Sequence, residues 1–189
     1  MSALRRAVFL DRDGVLVVPL FRDGRSFAPT NLQEFSIYPE AARCVSRLKE
    51  AGLLVVVVSN QPDVGAGRVD RSVLEEMHAR LRTAIPLDAI KVCCHTKEQR
   101  CACRKPRPGM LFDAAAELRI DLSCSTMVGD RGSDVEAGAA AGCRTAFVDL
   151  GYTSEPRPAN PDRVVASLRE ATDWILSLEP EVESAAWKT

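Results

Sequence analysis

AVFLDRDGV, residues 7–15, runs from four apolar residues into two aspartates one residue apart, Asp11 and Asp13, followed by Gly14. An apolar run of strand length that stops at an acid reads as a strand buried on both faces, with its carboxyl end open to a ligand. Side chains two apart on extended backbone point the same way, so both carboxylates are expected to face one site. Gly14 lets the chain turn sharply after them. A carboxylate is a competent nucleophile toward phosphorus where a cation offsets the repulsion between two anions. A second carboxylate beside it suits proton transfer to the leaving oxygen and then from water. By itself the same tripeptide serves equally well as a turn cap, so its surroundings decide.

Apolar runs recur along the chain, each ending at a polar or small residue. LLVVVV (53–58) precedes Ser59, AIKV (89–92) precedes Cys93, MVG (127–129) precedes Asp130, and TAFV (145–148) precedes Asp149. Helical spacing fills the intervals: Ala41, Val45 and Leu48 form one stripe, and Leu74, Met77, Leu81 and Ile85 a longer one. Further helices are expected from Gly109 to Leu118, with Pro108 near the start, and from Asp134 to Ala141, closed by Gly142. A last one after Asp162 is expected to carry Val165, Leu168, Ile175 and Leu178. Alternating strands and helices make an α/β fold with a central parallel sheet covered on both faces, and ligands of such sheets sit outside the strands' carboxyl ends. Asp11, Ser59 and Asp130 all fall there. Residues 19–38, with Pro19, Gly24, Pro29 and Asn31, read as a loop or small hairpin over the site. Residues 1–178 are expected to form a single domain, and 179–189, with Trp187, a frayed tail.

Composition narrows the function. The chain has 189 residues, 25 Lys plus Arg against 26 Asp plus Glu, and a net charge of −1, so no overall basic field points to nucleic acid or an anionic membrane. The apolar run after MSALRR is too short for a signal peptide or a membrane span, which places the protein in the cytoplasm as an expectation. Seven cysteines, an odd number without an export signal, suit free thiols or metal ligands better than a disulfide framework. Cys44, Cys124 and Cys143 read as small core residues. His78 reads as surface or core edge, and Trp174 as packing with the last helix.

Three further segments supply partners for Asp11 and Asp13. Ser59 and Asn60 end a strand and suit phosphate oxygens. CRKPRPG (103–109) gathers Arg104, Lys105 and Arg107, and Lys105 can mask charge between nucleophile and phosphate. VGDRGSD (128–134) places Asp130 at a strand end and Asp134 near a helix start, hard oxygen ligands for Mg²⁺, with Asp134 also a candidate N-cap. Together DRDGV, VVSN, the RKP lysine and GDRGSD, in that order between Ala7 and Val148, resemble the four motifs of the haloacid dehalogenase superfamily. The resemblance implies a Rossmann-like three-layer sandwich and an Mg²⁺-dependent phosphomonoesterase working through an aspartyl-phosphate. It implies Asp11 as nucleophile and Asp13 as acid/base, the main-chain carbonyl of Asp13 also meeting magnesium. Ser59 and Asn60 fall to phosphate, Lys105 to charge neutralisation and Asp130 to the metal; Asp134 is a possible second acid.

Cys93, His95, Cys101 and Cys103 form C-x-H-x5-C-x-C, a set able to close a tetrahedral structural Zn²⁺ shell, with Cys94 a possible substitute for Cys93. This loop resembles the superfamily branch that contains D-glycero-D-manno-heptose 1,7-bisphosphate phosphatases and histidinol-phosphatases. SNQPDVGAG (59–67) departs from that branch at Pro62 and Asp63, Arg68 stands near an expected arginine, and Arg131 takes a usual lysine position. Residues 14–58 and 61–104 are filled by core elements and the zinc loop, so no large cap domain is expected. The site should instead be open, rimmed by residues 15–30 and the zinc loop. The substrate implied is a small phosphorylated metabolite, foremost a sugar bisphosphate whose distal phosphate meets Arg104 or Arg107, taken up by a monomer. Histidinol phosphate is the enzymatic alternative, and a silent phosphate- or partner-binding domain the non-enzymatic one.

Overall fold

β1 (Ala7–Leu10) lies inside a six-stranded sheet in the computed structural model, which describes residues 4–178. The expected tail, 179–189 with Trp187, lies outside the described residues. β1 is flanked by β4 (Leu54–Asn60) and β6 (Thr126–Gly129); beyond β4 lies β5 (Ala89–Cys93), and beyond β6 lie β7 (Arg144–Val148) and β8 (Arg163–Val165). All neighbours run parallel. The side chains alternate between two cores, which is why the runs read as continuously apolar. Val8, Leu10, Val55 and Val57 face one core, with Val45, Leu81 and Ala171. Ala7, Phe9, Val56 and Val58 face the other, with Leu111 and Ala137.

The first face is thus covered by α1 (Ala41–Glu50), α3 (Arg71–Ala84) and α6 (Leu168–Ser177), the second by α4 (Gly109–Leu118) and α5 (Gly132–Ala140). This is the expected α/β sandwich. After β5 the chain crosses back to the far side of β1, so β4, β1 and β6 meet where strand order reverses. A crevice opens at the carboxyl ends of such strands, and Ser59, Asp11 and Asp130 stand there.

Several expectations change. Val165 belongs to β8 rather than to the last helix, because Asp162 accepts hydrogen bonds from the Thr145 N–H and hydroxyl and draws 163–165 alongside β7. A short helix, α2 (Pro62–Gly65), follows β4. The 19–38 segment is a hairpin, β2 (Leu20–Arg22) paired with β3 (Arg25–Phe27). Only part of 15–30 rims the site, since Val15, Leu16 and Val17 are buried in the core. Cys124 is exposed on a 3₁₀ turn, whereas Cys44 and Cys143 are buried as expected. Of the two places expected for His78, the surface is excluded: it is buried, and its Nε2 has no partner among the described residues. Trp174 packs at the edge of the first core.

Candidate active site

Four buried ionisable groups converge beyond β1, β4 and β6. Lys105 Nζ donates to Asp11 Oδ1 at 2.9 Å and to the Val58 carbonyl at 2.7 Å, and lies 2.6 Å from Asp134 Oδ1. Carboxylate oxygens of Asp11, Asp130 and Asp134 all lie within 4.8 Å of one another. Burial opposes the Lys105 charge, but Asp11 and Asp134 more than offset it, so its pKa lies above the ordinary lysine value. Asp130 is pushed well up by burial first and then by Asp11 and Asp134. One ammonium cannot satisfy three buried carboxylates, and Asp130 Oδ1 has no partner among the described residues. An oxygen-lined pocket short of positive charge fits a hard divalent cation such as Mg²⁺.

Asp134 is not an N-cap. Arg131 holds that position, and Asp134, three residues into α5, accepts the Arg131 backbone N–H through Oδ2. With Oδ1 on Lys105, both its oxygens are engaged. Its geometry is that of a group that orients Lys105.

Asp13 is held apart from this cluster. The chain turns at Arg12, so the two carboxylates line one cavity but face different partners. Arg12, fully buried, donates through Nε and Nη2 to the two oxygens of Asp13 at 3.0 and 2.9 Å, and its guanidinium lies 5.8 Å from the Phe35 ring centre. Gln61 Nε2 donates to Asp13 Oδ2 at 2.7 Å and to Ser59 Oγ at 2.9 Å. Asn60 lines the same cavity. Its amide donates to the Lys105 carbonyl at 3.0 Å and accepts the Lys105 N–H at 3.1 Å, fixing the backbone that carries the lysine.

A cavity of about 980 Å³ opens above these groups. Arg104, Arg107 and Arg131 line it, joined by Arg25, Lys97 and Arg100. Arg104 donates to the His95 carbonyl, and Arg107 to those of Arg100 and Cys101, so neither charge is neutralised by these contacts. Arg131 is tied down by the hairpin, donating to Ser26 O and Oγ at 2.8 and 2.7 Å, with Glu155 at 3.3 Å. Arg68 does not line the cavity and pairs instead with Asp63.

An HAD-hydrolase-like family model matches residues 102–171. The chain is 37% identical over 152 residues, 78% of its length and 83% of the relative's, to D-glycero-beta-D-manno-heptose-1,7-bisphosphate 7-phosphatase of Pseudomonas aeruginosa. It belongs to the haloacid dehalogenase (HAD) superfamily of phosphatases. Another similar HAD phosphatase is the D-glycero-alpha-D-manno-heptose-1,7-bisphosphate 7-phosphatase of Mycobacterium tuberculosis, 35% identical over 158 residues, with 78% of this chain and 80% of that one covered. The crystal structure of D,D-heptose 1,7-bisphosphate phosphatase from B. bronchiseptica, complexed with magnesium and phosphate, superposes with a TM-score of 0.77 at 30% identity, covering 92% of this chain and 99% of that one.

In this HAD phosphatase the four expected soft ligands also come together. Cys103 Sγ lies 3.2 Å from Cys93 Sγ, 3.4 Å from Cys101 Sγ and 3.3 Å from His95 Nδ1, and Cys93 Sγ lies 3.6 Å from Cys101 Sγ and 3.5 Å from His95 Nδ1. With Zn–S near 2.3 Å, a tetrahedral shell has S···S edges of about 3.8 Å, so the set needs little expansion to take the ion. Cys93, at the end of β5, joins the cluster and Cys94 does not. Burial, then the Cys103 contact, pushes the Cys93 thiol up to about 12, a cost that a bound cation offsets.

The sequence reading overlooked Arg12, Gln61 and Tyr152. The Tyr152 hydroxyl donates to Asp130 Oδ2 at 2.6 Å. For Arg12 the available signal was a charged residue embedded between the two acids; for Tyr152, 22 residues from Asp130, there was none.

Proposed function

We propose that this HAD phosphatase is a Mg²⁺-dependent 7-phosphatase of D-glycero-D-manno-heptose 1,7-bisphosphate, with Asp11 as nucleophile. The observation that carries the reading is the Asp11–Lys105–Asp134 chain beside an unpartnered Asp130 oxygen, at the floor of a cavity with more cationic side chains than one phosphate needs. Relatives named for this activity support the substrate.

Both hydrogen bonds drawn to Asp11, from Lys105 Nζ and the Arg12 N–H, go to Oδ1, which leaves Oδ2 to attack phosphorus. Asp11 and Asp130 would hold the cation, with the Asp13 carbonyl as a third donor, and the bound cation lowers the repulsion between carboxylate and phosphate. Lys105 shares that task from the opposite side. As the P–O bond to the sugar breaks, Asp13, protonated and turned from Arg12 toward the cavity, would give its proton to the leaving oxygen, and Asp11 carries the phosphoryl group. Asp13 then takes a proton from water, which attacks phosphorus and frees Asp11. Arg104 and Arg107, their charges unneutralised, receive the distal phosphate. Asn60 lines the cavity that would take the transferred one, whereas Ser59 is buried against Gln61 and supports it from behind. Cys93, His95, Cys101 and Cys103 would hold Zn²⁺ through four protein ligands, and the metal would then serve to shape the loop carrying both arginines.

A phosphate-release panel with Mg²⁺ tests the proposal, comparing both anomers of the heptose 1,7-bisphosphate, the heptose 7-phosphate and histidinol phosphate. Turnover of a bisphosphate at the 7-position, at least tenfold above the others in kcat/KM, supports it. Preferred cleavage of histidinol phosphate, or no release from any of them, overturns it.

A further inference from the structure

We infer that Tyr152 is a positioning residue for the cation site, fixing Asp130 so that a single carboxylate oxygen is presented to the metal. This rests on the phosphatase reading above and extends it to a residue outside the four motifs. Tyr152 donates to Asp130 Oδ2 at 2.6 Å. On another side of the same oxygen stands Gly14, where a Cβ would fall 2.1 Å from Oδ2. Oδ2 is therefore hemmed in by a hydroxyl and by backbone that tolerates no side chain. Oδ1 is buried and has no partner among the described residues. A carboxylate clamped at one oxygen cannot rotate freely about its last torsion, and the orphan oxygen is left as the ligand. Hydrogen bonds of this kind, made to the far atom of a metal ligand, commonly change metal affinity by about 10- to 100-fold.

The tyrosine is itself held from the hairpin side. Its ring stacks on Phe21, with centres 5.9 Å apart and planes at 22°. The N–H groups of Thr153 and Ser154 both donate to the Gly24 carbonyl at 3.1 Å, and Ser154 Oγ donates to the Asp23 carbonyl at 3.0 Å. Tyr152 thus reaches Asp130 from a loop after β7 that the β2–β3 hairpin pins in place, which gives the hairpin a part in arranging the cation site.

The test is Mg²⁺ binding by titration calorimetry to the full chain stripped of Mg²⁺, beside kcat as a function of Mg²⁺ concentration. Tyr152→Phe keeps the ring and its stacking but removes the donor. Its Mg²⁺ dissociation constant and Mg²⁺ half-saturation should both rise about tenfold, with kcat at saturating Mg²⁺ within about twofold of wild type; the Mg²⁺-free protein should melt only a few degrees lower, roughly 2–4 °C per kcal/mol for the buried acceptor left without its donor. Phe21→Ala, which loosens the ring while leaving the hydroxyl, should shift Mg²⁺ affinity in the same direction by less. An unchanged dissociation constant in Tyr152→Phe, or a loss of kcat that saturating Mg²⁺ does not restore, overturns the inference while leaving the phosphatase reading in place. Wild-type protein that binds no Mg²⁺, or Asp130→Asn that binds it as well as wild type, overturns both.

Discussion

Replacing Lys105 by Met removes the one cation that bridges the buried carboxylates and keeps most of the side chain's volume. Lys105 is 4% exposed, with Asp11 at 2.9 Å and Asp134 at 2.6 Å. Losing one member of a buried ion pair costs roughly 3–5 kcal/mol, because the remaining charge stays buried without compensation. For a chain of this size that amounts to a fall of about 6–20 °C in melting temperature without Mg²⁺. The loss should depend on pH with a definite sign. Burial pushes Asp134 above its ordinary value and Lys105 holds it back, so in the variant it rises further. A carboxyl group with a raised folded pKa loses stability as pH climbs through the range between its unfolded value and that folded value. The destabilisation of Lys105→Met should therefore be larger at pH 8 than at pH 5. Adding Asp134→Asn should recover much of the stability, since an uncompensated charge goes with it. Activity should not recover, because Asp11 still lacks its cation and kcat should stay down by at least about 10²-fold. Thermal melts across pH, with kcat for both variants, provide the assay. A melting temperature within 2 °C of wild type at pH 8, or activity restored in the double variant, would refute the reasoning.

Three further outcomes are expected. Cys101→Ala should lower zinc content, measured by elemental analysis, and the melting temperature, with activity falling only afterwards as the loop carrying Arg104 and Arg107 loosens. Burial, then Arg12 and Arg82, brings His78 down to about 4. The unfolded chain therefore binds more protons between about pH 4 and 6.5, and stability is full above that window and lost as pH falls through it. Allowing for its partial solvent contact, this amounts to roughly 1–3 kcal/mol; denaturant unfolding of His78→Leu should show a flatter profile over the same range. Arg12→Met should destabilise the protein and slow breakdown of the phosphorylated enzyme in rapid-quench experiments, since Asp13 loses its bidentate partner.

What could be read from the sequence followed from how local each signal is. β1, β4, β6 and β7 announce themselves because both of their faces are buried and their runs are almost wholly apolar, whereas β5 is a half-buried edge strand interrupted by Lys91. β8 has only three residues, the first of them Arg163, and Val165 falls three before Leu168, a spacing that mimics a helix. Asp11 and Asp130 were legible from chemistry at strand ends, and Lys105 from the basic run before α4. The support around them was not, since Gln61 reaches Asp13 across 48 positions and Tyr152 reaches Asp130 from a loop without periodicity. Asp13 does share a cavity with Asp11, as the spacing predicts, but its partners could not be read from that spacing. The i, i+2 relation holds on extended backbone, and the chain leaves it at Arg12.

The direct test of Asp11 as the attacking group is to locate the phosphoryl group on the enzyme. Asp13→Asn should slow hydrolysis of the intermediate, so quenching during turnover, borohydride reduction and peptide mapping should find close to one modification per chain, on residue 11. A modification on any other side chain, or none while phosphate is still released, would contradict the account.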